Sequence, residues 1–141
     1  MTLTVETARR MVAAAMAHGH DKGMQPLSVV VLDAGGHPLV FERAEGGSPG
    51  RFELARGKAY GCLMLGMSGS VLSKRAEAQP HFVQAMNGAF DGRFVAVQGG
   101  ALIRDASGAV IGALGVTGDS SENDAAAAVA GIEAAGLVAE A

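Results

Sequence analysis

Leu27-Ser28-Val29-Val30-Val31-Leu32-Asp33-Ala34-Gly35-Gly36-His37-Pro38-Leu39-Val40-Phe41-Glu42-Arg43 holds two extended runs around a turn. Val29 to Leu32 are apolar and largely β-branched, which favours a strand, and Asp33-Ala34-Gly35-Gly36 is turn chemistry. His37 to Arg43 resumes the extended pattern, so the segment predicts a β-hairpin. On its N-terminal side, Thr4 can cap a helix in which Ala8, Met11, Val12, Ala15 and Met16 recur at helical spacing until Gly23. On its C-terminal side, Gly46-Gly47-Ser48-Pro49-Gly50 is a loop whose Ser48-Pro49 can cap and start a second helix. Phe52, Ala55, Ala59, Cys62 and Leu63 would form the inner side of that helix, which should end near Gly66.

Farther out, Ser68 to Ala78 reads as a short helix with Val71 and Leu72 inward, and Pro80 to Met86 as another, closed by Asn87-Gly88. Arg93 to Gln98, Ala101 to Arg104 and Ala109 to Val116 predict three strands in an antiparallel meander, with Asp105-Ala106-Ser107-Gly108 as a turn. Ser120 or Ser121 would cap an Ala-rich helix running to Ala141. Five antiparallel strands with helices before, between and after them make an α+β fold.

The composition bounds what such a fold can do. A chain of 141 residues and 14.2 kDa is one domain, residues 1–141, and folding should remove roughly two thirds of its unfolded surface. Apolar residues at 49% against 18% charged argue for a folded state rather than disorder. Aromatics are only 4%, while 27 Ala and 21 Gly imply a core built on close backbone approaches. Net charge is −3 and no Lys/Arg-rich run stands out, which argues against a nucleic-acid partner. The lone Cys62 cannot form an internal disulfide, and no run reaches the ~18 apolar residues of a membrane span. The expectation is a cytoplasmic protein without membrane contacts.

Few residues are poised for chemistry. His18 and His20 close the first helix, where its dipole favours a cation, and their i, i+2 spacing splays them apart. His37 follows a Gly-Gly turn and reads as a surface residue. His81, between Pro80 and Phe82, could serve as an axial iron ligand, a general base or a structural histidine. Arg51 and Lys58 lie on the second helix, where Arg51 could meet an anion and Lys58 could pair with a carboxylate of ligand or protein, or snorkel to solvent. Gly115-Val116-Thr117-Gly118 leads into a helix whose free N–H groups can hold an anion. Alternatively, these glycines simply let a helix lie close on the sheet.

Together, Val29 to Leu39, Arg43, Ala55 with Gly57-Lys58-Ala59, Gly99-Gly100, Ile111 to Gly118 and Asn123-Asp124 resemble the GlcG/HbpS family. This is the haem-degrading or DUF336 group that includes the C-terminal domain of PduO. The resemblance spans nearly the whole chain. It implies an α/β sandwich with a five-stranded antiparallel sheet, assembled as a homo-oligomer, a tetramer or octamer. It also implies haem as a cofactor, near a Pro-Thr-Ser motif that an ungapped alignment from Lys58-Ala59 places at Ser68-Gly69-Ser70. Glycine cannot ligate iron, so the iron ligand falls to His81 or another side chain.

Two functions follow from the resemblance. In the first, haem sits in a pocket near a subunit interface lined by Met64, Met67 and Phe82, with Ser68, Ser70, Gly99 and Gly100 beside it and His81 as the metal ligand. In the second, the protein is an enzyme or accessory protein for a small carboxylic acid in a catabolic operon. Arg51 and Lys58 would fix the acid while His81 moves a proton in a lyase or isomerase-type reaction, which makes His81 and Lys58 the candidate catalytic residues.

Overall fold

In the computed structural model, which describes residues 1–141, the valine run forms β1, Ser28–Asp33, and the segment after the turn forms β2, Pro38–Arg43. They pair antiparallel from Ser28 opposite Arg43 to Leu32 opposite Pro38. Asp33 Oδ1 closes the turn by accepting from the backbone N–H groups of Gly35 and His37, each at 3.0 Å. Gly36 completes it at φ +86°, a conformation that a Cβ disfavours.

Helix α1 spans Val5–Asp21, and the Thr4 hydroxyl caps it by accepting from the Thr7 N–H. Helix α2, Arg51–Leu65, ends at Gly66 in the left-handed conformation, φ +64°. Ser48 does not cap it: Gly50 holds the cap position without a side-chain bond, and the Ser48 hydroxyl accepts from Arg51 Nε instead. Helix α3, Gly69–Ala78, is capped by Ser68, and α4, Pro80–Ala89, runs through Asn87-Gly88 rather than stopping there. Leu72 is buried as expected, but Val71 is 49% exposed, because adjacent positions on a helix point in different directions.

The larger corrections concern the second half. Arg93–Gln98 is irregular rather than a strand, because its donors are used elsewhere: Val95 N–H reaches the Gly57 carbonyl on α2, and Phe94 N–H reaches Asn87 Oδ1 on α4. Strands β3, Gly100–Arg104, and β4, Val110–Thr117, do pair antiparallel. Helix α5, Ser121–Ala134, is capped by Ser120 and stops before Gly136, at φ +75°. The chain then adds β5, Val138–Glu140, where the helix was expected to continue. The sheet has five antiparallel strands in the order β2-β1-β4-β3-β5, and β1 pairs with β4 from Ser28 opposite Thr117.

Alternation along the central strands assigns the two faces. Val29, Val31, Leu114 and Val116 pack with Met11, Val12 and Ala15 of α1 and Ala127, Ala128 and Ile132 of α5. Val30, Leu32 and Ala113 face Ala55, Ala59 and Tyr60 of α2, while Leu102 meets Cys62, Leu72, Phe82 and Phe94. Gly115 and Gly100 let α2 settle on the sheet, since a Cβ on either would overlap the carbonyl of Ala55 or Lys58. No helix is long and apolar enough to cross a membrane.

Candidate functional site

Docking α2 on these glycines brings Lys58 against the start of α5. Its Nζ lies 3.1 Å from Asp124 Oδ2 and donates to the Val116 carbonyl at 3.0 Å, with the two side chains only 6% and 2% exposed. Burial pushes the Lys58 pKa down and the Asp124 pKa up, and the attraction between them opposes both shifts. Lys58 lines none of the cavities in the chain; its carboxylate partner belongs to the protein. Arg51 flanks this pair, donating to Thr117 Oγ1 at 2.7 Å.

The anion site considered at the start of α5 is closed by the chain itself. The Ser120 hydroxyl accepts from the Asn123 N–H, and Asp124 Oδ1 accepts from the Asp119 N–H. Gly118 is pressed against the Pro26 carbonyl, and Gly115 lies beneath Ala55. Close packing, the other reading of these glycines, is what the geometry supports.

The remaining sequence candidates do not surround a hollow. Phe82 is a core residue whose ring meets Phe94 edge-on at a centroid distance of 5.9 Å and carries the Arg75 guanidinium 4.0 Å away. His81, beside it on α4, is exposed. Cys62, Leu72, Phe82, Phe94 and Leu102 fill the space between α2 and α4, leaving no hollow within the chain there, and burial pushes the Cys62 thiol up to about 12. Met67 packs on the margin of this cluster, and Met64 lies against Tyr60 and the Gly35-Gly36 turn. Ser68 caps α3, while Ser70 donates to the Ala141 carbonyl at 3.0 Å. Gly99 and Gly100 pack directly against Lys58. A Cβ at Gly69 would come 2.5 Å from the Gly100 carbonyl oxygen, so the position that the resemblance gives to threonine requires glycine here.

A histidine does open onto a cavity, but not His81. Met16, His20, Met24, Leu27, Ala44 and Glu45, with Gln25 and Pro26, line a half-open recess of 180 Å³ between the end of α1 and the segment after β2. Met16 and His20 stand at i and i+4 on α1, which stops at Gly23, φ +66°, where the Gly23 N–H donates to the His20 carbonyl and the Met24 N–H to the Gly19 carbonyl; this turn brings Met24 back beside them. The sequence places Met16 on the apolar repeat of α1 and His20 near its end, but Met24 lies beyond the Gly23 stop and no local pattern joins it to them. Imidazole and thioether are both donors to haem iron. Two further recesses are lined by Glu53, Arg56, Gly57, Gly92 and Arg93, and by residues near Met1, Asp33 and Ile111. No group of three or more His, Cys, Asp or Glu side chains converges as a metal site.

The sequence profile described as "Haem degrading protein HbpS-like" matches residues 3–133. Among solved structures, the PduOC:heme complex is similar over 97% of both chains, at 25% identity and a TM-score of 0.85. A crystal structure of HbpS is 30% identical over 93% of this chain and 88% of that one, with a TM-score of 0.78. A double mutant of HbpS from Streptomyces reticuli is 29% identical over 94% and 86%, with a TM-score of 0.79. No curated protein matches the chain.

Proposed function

The chain belongs to the HbpS-like family of haem-degrading proteins, and from that premise we propose that it binds haem at the recess beside His20, with a second copy closing the site. The observation that carries this reading is that His20 is the one histidine lining a cavity, and that Met16 and Met24 line the same cavity. The donor set fits: His20 would hold the iron, while Met16, Met24 and Leu27 would pack on the macrocycle and exclude water. The carbonyl end of α1 favours positive charge at that point.

The size of the recess argues for an assembly. At 180 Å³ it is smaller than the roughly 300–1,000 Å³ of sites that enclose a ligand of this class, so one chain supplies one wall. A homo-oligomer, in the tetramer or octamer range, supplies the other. Bound haem contributes a redox-active iron; the chain contributes a ligand, an apolar wall and shielding from solvent. His81 is exposed, as is His20, but it lines no recess of the chain.

Titrating the protein with hemin and following the Soret band tests this reading. Wild type should shift the band saturably, His20→Ala should abolish the shift, and His81→Ala should keep it. A free-hemin spectrum with wild type, or wild-type affinity in His20→Ala, would overturn the assignment.

A further inference from the structure

The recess between α2 and the segment after α4 has a different chemistry, and no apolar side chain lines it. Glu53, Arg56, Gly57, Gly92 and Arg93 enclose 90 Å³, too little for a macrocycle. We propose that this cleft binds a small oxyanion of carboxylate or phosphate type between Arg56 and Arg93. The site is separate from the His20 recess and does not depend on haem binding.

Two guanidiniums from different elements share the cleft, and neither is neutralised well within the chain. Arg56 takes part in no ion pair, and its Nε–H is buried without a hydrogen-bond partner. A buried, unused donor on a charged group is costly, which is why such groups normally find an acceptor. The carboxylate closest to Arg93 is Asp91, at 3.9 Å and 85% exposed, a contact of little strength.

Both side chains are braced before any ligand arrives. Arg93 Nε donates to the Phe90 carbonyl at 3.1 Å, and its guanidinium lies 4.8 Å from the Tyr60 ring centre. Arg56 lies 6.0 Å from the Phe52 ring centre, one turn earlier on α2. Held forks of this kind suit planar or tetrahedral oxyanions, which accept two parallel N–H bonds from one guanidinium. Glycines keep the walls low: a Cβ at Gly57 would collide with Val95, and Gly92 turns the chain at φ +75°. Glu53 is the one acid lining the cleft, and it opposes an anion, so the balance is two cations against one carboxylate.

The test is an NMR titration of the full chain, following backbone amides, with sodium phosphate and separately sodium acetate, ionic strength being held constant with sodium chloride. Saturable shifts at Gly57 and Gly92 with either salt support the site, and the salt that binds names the class of ligand. Arg56→Gln should weaken binding at least about tenfold, since a charge-assisted bidentate contact is lost. Glu53→Gln, at an exposed position, should tighten binding by about threefold or more, an effect that a merely structural role would not produce. Shifts no larger than with chloride alone, wild-type affinity in a well-dispersed Arg56→Gln spectrum, or no gain in Glu53→Gln would overturn the proposal.

Discussion

Lys58 and Asp124 lose their water when α2 and α5 meet on the sheet, and each is tolerable there only because of the other. Lys58→Met leaves Asp124 buried without its counter-ion and should cost about 3–5 kcal/mol in urea denaturation. Lys58→Met/Asp124→Asn removes both charges, keeps an acceptor for the Asp119 N–H and should recover much of that loss; equal losses in the single and double variants would contradict the pairing. Three other aspartates, part-buried Asp33 and Asp119 and buried Asp105, act in the opposite sense to Asp124. The His37 N–H holds Asp33 below its ordinary 3.8, the Ser107 hydroxyl does so for Asp105, and the Gln25 N–H does so for Asp119. Each binds fewer protons folded than unfolded, so its contribution is complete above that ordinary value and is lost as pH falls through the lowered folded value. Asp124, raised by burial, instead contributes less as pH rises through its folded value. The urea midpoint should therefore fall on acidification below about pH 4, and less steeply in Asp119→Asn; superimposable curves would contradict the role of Asp119. At this scale much was legible. The Thr4 and Ser120 caps and the Gly66 stop depend on neighbouring residues, and a carboxylate partner for Lys58 was one of the alternatives. The identity of that partner was not, because 66 positions separate the two.

Helix α2 can lie on β4 and β3 only because those strands present glycine beneath it. Gly115→Ala would drive a methyl into the Ala55 carbonyl and should cost about 1–3 kcal/mol, read as a lower urea midpoint with unchanged secondary structure. Gly69→Thr, which restores the residue that the resemblance leads one to expect, should lower the melting temperature and leave hemin affinity no higher, because its side chain has no room beside Gly100. A gain in hemin affinity would contradict the placement of the site at His20. The elements that the sequence hid share a physical cause. Phe94-Val95-Ala96-Val97 has the composition of a strand, yet its N–H groups are captured by side-chain and backbone acceptors on α4 and α2. Strand β5 has only three residues, too few for any period, and follows an alanine run whose local preference is helical.

At the scale of the molecule, hairpin and strand patterns were enough for an α+β sheet of five strands, but not for its order. The pairing of β1 with β4 joins segments about eighty residues apart and has no local signature. The site proposed here differs from the sequence candidates for a related reason. Pro80-His81-Phe82 looked like the rim of a pocket, whereas Phe82 is needed to fill the space under Leu72 and Phe94, leaving His81 outside. The recess beside His20 forms only once the end of α1 meets the segment after β2, so Met16 reads locally as one more apolar position of the helix and Met24 as a residue past its end. Paramagnetic broadening of backbone amide resonances by hemin, measured on the full chain, locates the iron directly. Losses centred on Ala17 to Leu27 and Ala44 to Glu45 are predicted; losses centred on α4 around His81, or spread evenly over the chain, would contradict the account.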